Sequence, residues 1–131
     1  MDLFWDTSAV VPLIFNEPHT PLALRAFQQG EGFFAWDWMA VETEAALSRR
    51  RARNSQWEEW SEISQLFQWI HLPPQEWSEI RKQNRHWMLR AADAAHLYAF
   101  SRIFRILPDL RLVTFDEEQR ALATKKDFRL I

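Results

Sequence analysis

Short apolar runs that alternate with longer helical stretches constrain the fold of this chain more than any other feature. Residues 1–5 and 33–36 are apolar runs typical of buried strands, and residues 110–115 form a third. A short strand over 70–72 is ended by two prolines, and an edge strand is expected over 128–131. Strands that alternate with helices predict an α/β sandwich around a mostly parallel sheet of four to five strands.

Helical stretches separate these runs. Thr7 or Ser8 can cap a helix that runs to about residue 15, and Trp60, Ile63 and Phe67 recur at helical spacing in a later stretch. The predicted helices cover residues 8–15, 20–29, 39–53, 56–69, 75–88, 91–104 and 116–125. No repeat, low-complexity tract or linker divides them, so a single domain is expected over residues 1–131.

Composition excludes several classes of site. The chain has no cysteine, which excludes disulfides, thiolate catalysis and cysteine-based zinc sites and is typical of a reducing compartment. Its start lacks the basic region and long apolar core of a signal peptide, and no window reaches the roughly 18–20 apolar residues of a membrane span. We therefore expect a cytoplasmic protein. Because the net charge is −2, any polyanion must be met by local basic patches or by a bound cation.

Four acidic residues stand where a carboxylate needs an explanation. Asp6 closes the first strand and Asp116 the last well-defined one, so both belong at the carboxyl edge of a parallel sheet, where ligands bind. Asp93 is the only charge in an otherwise almost wholly apolar stretch over 91–100. A lone carboxylate on a buried helix costs several kcal/mol unless a partner or a metal compensates it. Glu42 lies on the helix predicted over 39–53.

Each acid also has a plainer interpretation. Asp116 with Gln119 three residues later resembles a capping box, and Asp6 fits a turn position. Asp93 lies at the i,i+3 spacing that allows an ion pair with Arg90 on one helix. The functional interpretation therefore depends on the four acids together and not on any one of them.

Metal chemistry accounts for such a group of acids. Carboxylate oxygens are preferred ligands of Mg²⁺ and Mn²⁺, and converging carboxylates without a cation repel one another strongly at low dielectric. A bound ion cancels that repulsion, bridges to a phosphate and makes a water more nucleophilic. Phosphodiester hydrolysis is the reaction that such a site serves most directly.

Four sequence segments carry a family resemblance across nearly the whole chain. They are DTSAVVPLIFNEP at the start, a Glu followed by AALSRR, then LRAADAAHL, and finally LVTFDEEQRALA. In this order and spacing the sequence resembles the PIN-domain family, specifically the short VapC-type toxin ribonucleases of type II toxin–antitoxin pairs. The resemblance implies a PIN-like three-layer α/β/α sandwich and a Mg²⁺-dependent endoribonuclease, with Mn²⁺ as a substitute ion. It also implies an RNA substrate, a cognate antitoxin and a homodimer or a toxin–antitoxin hetero-oligomer.

The resemblance assigns a role to each acid. Asp6 and Asp93 correspond to the principal metal ligands, while Glu42 and Asp116 complete the acidic pocket. Glu42 is preferred to Glu44 because residues two apart on a helix point to opposite sides. Its spacing before the Ala-Leu-x-Arg stretch also matches that of the family's Glu.

Further residues have predicted supporting roles. Ser8 and Thr114 match small polar positions of the family and can bond to the carboxylates, although each also has a local capping or strand role. Arg49, at the end of the Glu42 helix, and Arg90 are candidate contacts to RNA phosphates. For His96, three residues after Asp93, a packed helix histidine is favoured over a metal ligand.

Tryptophans mark the departures from the family pattern. Trp36, Asp37 and Trp38 stand where the family often has Ser or Thr, which affects the expected substrate groove. Trp57 and Trp60 alternate with glutamates, so part of their helix face is expected to be exposed and adhesive. In the family the early and middle helices supply the homodimer contact and the antitoxin groove.

Two other classes of function are weighed against the nuclease. One is a catalytically silent PIN-like module that binds RNA or a protein, which the intact acids at all four positions disfavour. The other is a phosphotransfer domain of the receiver or phosphatase kind. That class usually needs a Lys near the last strand, and none follows Asp116 until Lys125. No zinc-binding, P-loop or dinucleotide-binding motif is present.

Overall fold

A computed structural model, which describes residues 1–131, contains one sheet of four parallel strands. The strands are β1 (Asp2–Trp5), β2 (Gly32–Trp36), β3 (Phe67–Ile70) and β4 (Arg111–Val113), and their order in the sheet is β3-β2-β1-β4. The predicted α/β class with a parallel sheet is confirmed. The expected edge strand over 128–131 is reduced to a single bridge between Leu112 and Leu130.

Seven α-helices cover the two faces of this sheet. They are α1 (Thr7–Ile14), α2 (Thr20–Gln29), α3 (Trp38–Arg49), α4 (Asn54–Ser64), α5 (Trp77–Trp87), α6 (Ala91–Phe104) and α7 (Glu117–Lys125), and a 3₁₀ turn, Pro74–Glu76, precedes α5. None of these helices combines the length and the apolar character that a membrane crossing requires.

The core consists of two clusters, one on each face of the sheet. Leu3 and Trp5 point into the cluster with α1 to α4, whereas Phe4 and Leu112 point into the cluster with α5 to α7. This alternation follows from the two-residue period of side chains along a strand. The predicted three-layer α/β/α sandwich is confirmed.

The sheet topology determines where a ligand site can form. From β3 at one edge the chain returns to β4 on the far side of β1, so the direction of winding reverses between β1 and β4. In open parallel sheets a crevice forms at such a switch point, outside the carboxyl ends of the strands. Asp6 follows β1 and Asp116 follows β4, so both lie at this crevice.

The stretch around β3 corrects the sequence prediction. The helix predicted over 56–69 ends at Ser64, and Phe67–Ile70 is a strand in place of the strand predicted over 70–72. Phe67 packs into the core while Gln68 is exposed, the alternation expected of a strand, and this segment pairs with β2. The helical spacing of Trp60, Ile63 and Phe67 is therefore coincidental at its last member.

Two helix ends also differ from the prediction. The helix predicted over 39–53 ends at Arg49, and Arg51 adopts a left-handed backbone with φ 52°. The helix predicted over 75–88 ends at Trp87, where Met88 with φ 55° stops it. Both ends have a left-handed residue other than glycine, which is why no glycine in the sequence marked them.

Candidate active site

Asp6 is the most deeply buried of the four acids, with 3% of its surface exposed. It follows β1 directly, and its carboxylate accepts hydrogen bonds from Ser8 Oγ at 2.6 Å, Thr114 Oγ1 at 2.9 Å and Gln119 Nε2 at 2.7 Å. Burial raises the pKa of Asp6, and the charge of His96 and the two hydroxyl bonds only partly oppose that shift.

Asp93 and Asp116 join Asp6 through shared partners. Gln119 Nε2 also donates to Asp93 Oδ1 at 3.0 Å. Arg90 donates to Asp93 Oδ2 at 3.2 Å and to Asp116 Oδ2 at 3.0 Å, so one guanidinium bridges the two carboxylates. The i,i+3 pairing of Arg90 with Asp93 is thus confirmed. Three acids from separate segments form one hydrogen-bonded network.

Asp116 and Gln119 form only one of the two hydrogen bonds of the predicted capping box. Its Oδ1 accepts from the Gln119 backbone N–H at 2.9 Å, so it is the N-cap of α7 as predicted. The Gln119 side chain, however, does not return to the N-cap backbone. It points inward to Asp6 and Asp93, where the carboxylates of two other segments need a donor. Its surface is fully buried.

Negative charge at this edge of the sheet is incompletely compensated. Burial, followed by the charge of Asp116, raises the pKa of Asp93 even though Arg90 opposes the shift. Asp6 and Asp93 therefore both have pKa values above the ordinary aspartate value of 3.8. A hard divalent cation prefers oxygen ligands, and the carboxylates of this pocket supply that kind of donor atom.

Glu42 occupies the other side of the pocket. Its Oε1 accepts from Thr7 Oγ1 at 2.7 Å and lies 2.7 Å from His96 Nε2. Burial alone would raise the pKa of Glu42, but the bond and charge of His96 and the Thr7 hydroxyl outweigh it, so the pKa is lowered. Glu44 points elsewhere and accepts from Trp60 Nε1 at 3.2 Å.

The four acids are grouped, but they do not form a finished metal centre. Glu42 connects to the aspartate network through Thr7, which neighbours Asp6, and through His96, one helical turn after Asp93. No three carboxylate or imidazole groups have the geometry of a metal site. Their roles as metal ligands stay a prediction.

Ser8 and Thr114 tie the ends of β1 and β4 together. Besides bonding to Asp6, Ser8 Oγ accepts from the Phe115 N–H at 2.9 Å, and Thr114 Oγ1 accepts from the Asp116 N–H at 3.1 Å. The two hydroxyl oxygens lie 3.2 Å apart. The bonds to a carboxylate that the sequence predicts for both residues are thus formed with Asp6.

Sequence reasoning missed some partners of these acids. The sequence predicts Gln119 only as a capping partner and Thr7 only as a cap of α1, whose N-cap position is occupied by Asp6. The buried position of His96, 2% exposed, agrees with the favoured interpretation as a packed histidine. Its bond to Glu42 was not predicted. The only sequence signal was the short spacing of each residue from an acid.

Arg49 lines a cavity beside the acids. This cavity, about 480 Å³ in volume, is also lined by Thr7, Ser8 and Arg50. Arg50 is paired with Glu17, which also lines the cavity. The cavity therefore has one guanidinium outside an ion pair, that of Arg49, adjacent to the residues that contact Asp6 and Glu42.

Two solved structures share the fold over most of the chain. VapC20 from Mycobacterium tuberculosis, a toxin that cleaves the sarcin–ricin loop, matches with a TM-score of 0.67 at 18% sequence identity, covering 92% of this chain and 95% of that chain. PAE2754 from Pyrobaculum aerophilum matches with a TM-score of 0.64 at 19% identity, covering 92% and 84% respectively. No protein-family model and no curated protein sequence matches the chain. The structural likeness confirms the PIN-like fold.

Proposed function

We propose that this protein is a Mg²⁺-dependent endoribonuclease that hydrolyses RNA phosphodiester bonds. One observation carries the proposal. Carboxylates from three separate segments, those of Asp6, Asp93 and Asp116, share one partner network at the switch point of a parallel sheet. Two of them have raised pKa values. Perturbed acids in a crevice are typical of a functional site.

The chain's own residues prepare this pocket for a cation. Ser8, Thr114 and Gln119 fix both oxygens of Asp6, so its orientation is set before any ligand arrives. Asp6 and Asp93 would hold the ion, with Glu42 and Asp116 beside it. When bound, Mg²⁺ would offset the negative charge of the phosphate and lower the pKa of a water. Mn²⁺ is expected to substitute for it.

Glu42 and the hydroxyl residues would position a water for the attack. The lowered pKa of Glu42 keeps its carboxylate ionised at neutral pH, because its bonds to His96 and Thr7 stabilise the charged form. An ionised carboxylate can accept a hydrogen bond from a water and orient it. Glu42 would take the proton of this water as its oxygen bonds to phosphorus and the bond from phosphorus to the leaving ribose oxygen breaks, and that proton would then pass to the leaving oxygen.

RNA would reach the acidic pocket past Arg49, through the neighbouring cavity. The cavity lined by Arg49, Thr7 and Ser8 offers a guanidinium beside the proposed cleavage point. Arginine is well suited to phosphate contacts. Such local contacts are required because the net charge of the chain is −2.

We also propose that the enzyme is a VapC-like toxin neutralised by a cognate antitoxin. The structural likeness to VapC20, a toxin, supports this assignment. Trp60 is buried and Trp57 partly buried against the core, so these two rings do not form the exposed adhesive face that the sequence predicts. A cavity of about 410 Å³ lies between α1, α2 and α4. Its lining is mostly apolar, with Leu24 and Leu66 exposed, and includes two glutamates of α4. It would accept an apolar antitoxin segment, and a homodimer is expected.

Cleavage of defined RNAs tests the enzymatic part. Single-stranded and hairpin RNAs are incubated with the protein in Mg²⁺, Mn²⁺ or EDTA, beside Asp6→Asn and Asp93→Asn. We expect cleavage with either ion, none in EDTA, and a loss of about 100-fold or more in each variant. Circular dichroism checks that the variants are folded.

Two results would overturn the proposal. Cleavage that persists in EDTA or in both variants contradicts the metal mechanism. RNA binding without cleavage under any condition supports the silent PIN-like module instead. For the toxin assignment, a short reading frame beside the gene is co-expressed with it, and restored growth of the host is the expected outcome.

A further inference from the structure

An aromatic cleft lies beside the acidic pocket, and the proposed hydrolysis does not use it. It has a volume of about 610 Å³ and is lined mainly by Trp36, Trp38, Trp77 and Leu72, a size typical of small-molecule sites. Trp38 and Trp77 are 46% and 40% exposed, which is unusual for tryptophan. The cleft is thus an exposed site with π-faces available to a ligand.

The fold presets the shape of this cleft. Trp36 ends β2 and is only 5% exposed, so it forms a fixed floor. Its ring centroid lies 6.1 Å from that of Trp38, at the start of α3, and 5.9 Å from that of Trp77, at the start of α5. Both exposed rings therefore stand on helix starts that pack against the same buried ring, which limits their movement.

The cleft continues into the acidic pocket. Ala91 and Ala92 line it and directly precede Asp93 on α6. The Trp36 ring packs edgewise against His96, with centroids 5.1 Å apart, and His96 contacts Glu42. A ligand in the cleft would lie next to the carboxylates.

Helix α3 makes the same connection from the other side. Trp38 and Glu42 are four residues apart on this helix, and residues at that spacing share a face. Successive turns of a helix lie about 5.4 Å apart. One nucleotide of an extended RNA strand can span that distance. A strand with one phosphate at the acids can therefore place an adjacent base at Trp38.

We propose that this cleft binds an unpaired nucleobase next to the scissile phosphate. This inference rests on the proposed nuclease function. Bases stack on exposed aromatic rings, and a base is uncharged, so the neighbouring carboxylates do not repel it. On the rim, Asp37 and His71 are paired at 3.1 Å and offer polar atoms to the edge of a base. An apolar protein segment would offer no hydrogen-bonding groups to that polar rim.

Binding of labelled RNA to the Asp93→Asn protein in EDTA, where no cleavage is expected, tests this proposal. Fluorescence anisotropy compares Trp38→Leu, Trp38→Phe, Trp77→Leu and Trp77→Phe in that background. Leu keeps apolar volume without a π-face, and Phe keeps the π-face. Ile106→Ala, an exposed apolar residue beyond the far end of α6, is the control.

The expected pattern is specific to stacking. Each Leu variant weakens binding about 5- to 150-fold, as expected for one lost base–aromatic stack, while the Phe variants and Ile106→Ala bind almost as the parent does. An RNA with one abasic position reproduces the loss, and the loss does not increase further with Trp38→Leu.

Three results would overturn the proposal. The first is equal RNA affinity of the Leu variants and the parent. The second is an abasic RNA that binds normally at every tested position. The third is a change from dimer to monomer in Trp38→Leu with RNA affinity unchanged, which makes the cleft a protein interface. Cleavage by the wild-type chain is assayed separately, so failure of the base site and failure of the nuclease assignment are distinguished.

Discussion

Gln119 donates its side-chain amide to Asp6 Oδ2 at 2.7 Å, although 113 positions separate the two residues in sequence. The same nitrogen reaches Asp93 Oδ1 at 3.0 Å. An amide donor between two carboxylates separates their charges without neutralising either of them. The pocket can thus remain acidic in a folded protein and still be available to a cation.

Replacing Gln119 with Met tests this contribution. Met has a similar shape but no donor, so Asp6 loses one buried hydrogen bond and faces Asp93 unshielded. In EDTA we expect the free energy of unfolding to fall by about 1–3 kcal/mol, the cost of removing one of the three donors to a buried carboxylate. Urea titration measures it. Gln28→Met, at an exposed position of α2, is the matched control, and an equal loss there would refute the role.

The pKa shifts predict opposite pH effects for two acids when divalent ions are removed. Burial is the first cause that raises the pKa of Asp93 in the folded protein. Asp93 therefore contributes fully to the free energy of unfolding at pH values below 3.8, and this contribution is lost as the pH rises through the raised pKa. Asp93→Asn should therefore gain stability relative to wild type as the pH rises from about 3.5 to 7.

Glu42 should behave in the opposite way in the same titration. The pKa of Glu42 is lowered below 4.5. Its contribution to the free energy of unfolding is therefore full at pH values above 4.5 and is lost as the pH falls through the lowered pKa. Glu42→Gln should lose stability relative to wild type as the pH rises. Urea unfolding in EDTA over the pH range measures both differences, and the same sign for the two variants would contradict the assignment.

Much of this architecture follows from local sequence rules. The strands β1, β2 and β4 were predictable because each is a buried apolar run, and parallel pairing then placed Asp6 and Asp116 at one edge. The strand β3 was not, because Phe67 continues a helical spacing whose meaning only pairing with β2 reveals. Short-range patterns cannot distinguish such a coincidence from a real helix face.

The candidate site was predictable in its acids but not in their partners. The pair of Arg90 and Asp93 follows from i,i+3 spacing, whereas the second bond of Arg90 to Asp116 depends on how α6 and α7 pack. Gln119 likewise satisfied a local explanation as a capping residue. Its inward orientation is set by tertiary contacts with Asp6 and Asp93, which no sequence spacing encodes.

Arg90 is expected to compete with a divalent ion. It bridges Asp93 and Asp116 through oxygens that a cation would use, and its side chain is 76% exposed and so can move away. Arg90→Gln should tighten Mg²⁺ binding about 2- to 5-fold, as loss of an exposed ion pair allows, and weaken RNA binding. Calorimetric titration with Mg²⁺ measures the affinity. Arg102→Gln, whose parent residue pairs with Glu76, is the control, and unchanged affinity in Arg90→Gln would exclude competition.

Glu42 and Glu44 provide an internal comparison for the proposed catalysis. Glu42 contacts Thr7 and His96 in the pocket, while Glu44 is exposed and accepts from Trp60 on another side of α3. Glu42→Gln should lower kcat/KM for RNA cleavage about 10- to 100-fold, the usual effect of losing a group that orients a metal site. Glu44→Gln keeps an acceptor for Trp60 and should stay within about twofold. Initial cleavage rates at matched folded fractions measure both effects, and equal losses in the two variants would contradict a specific role of Glu42 in catalysis.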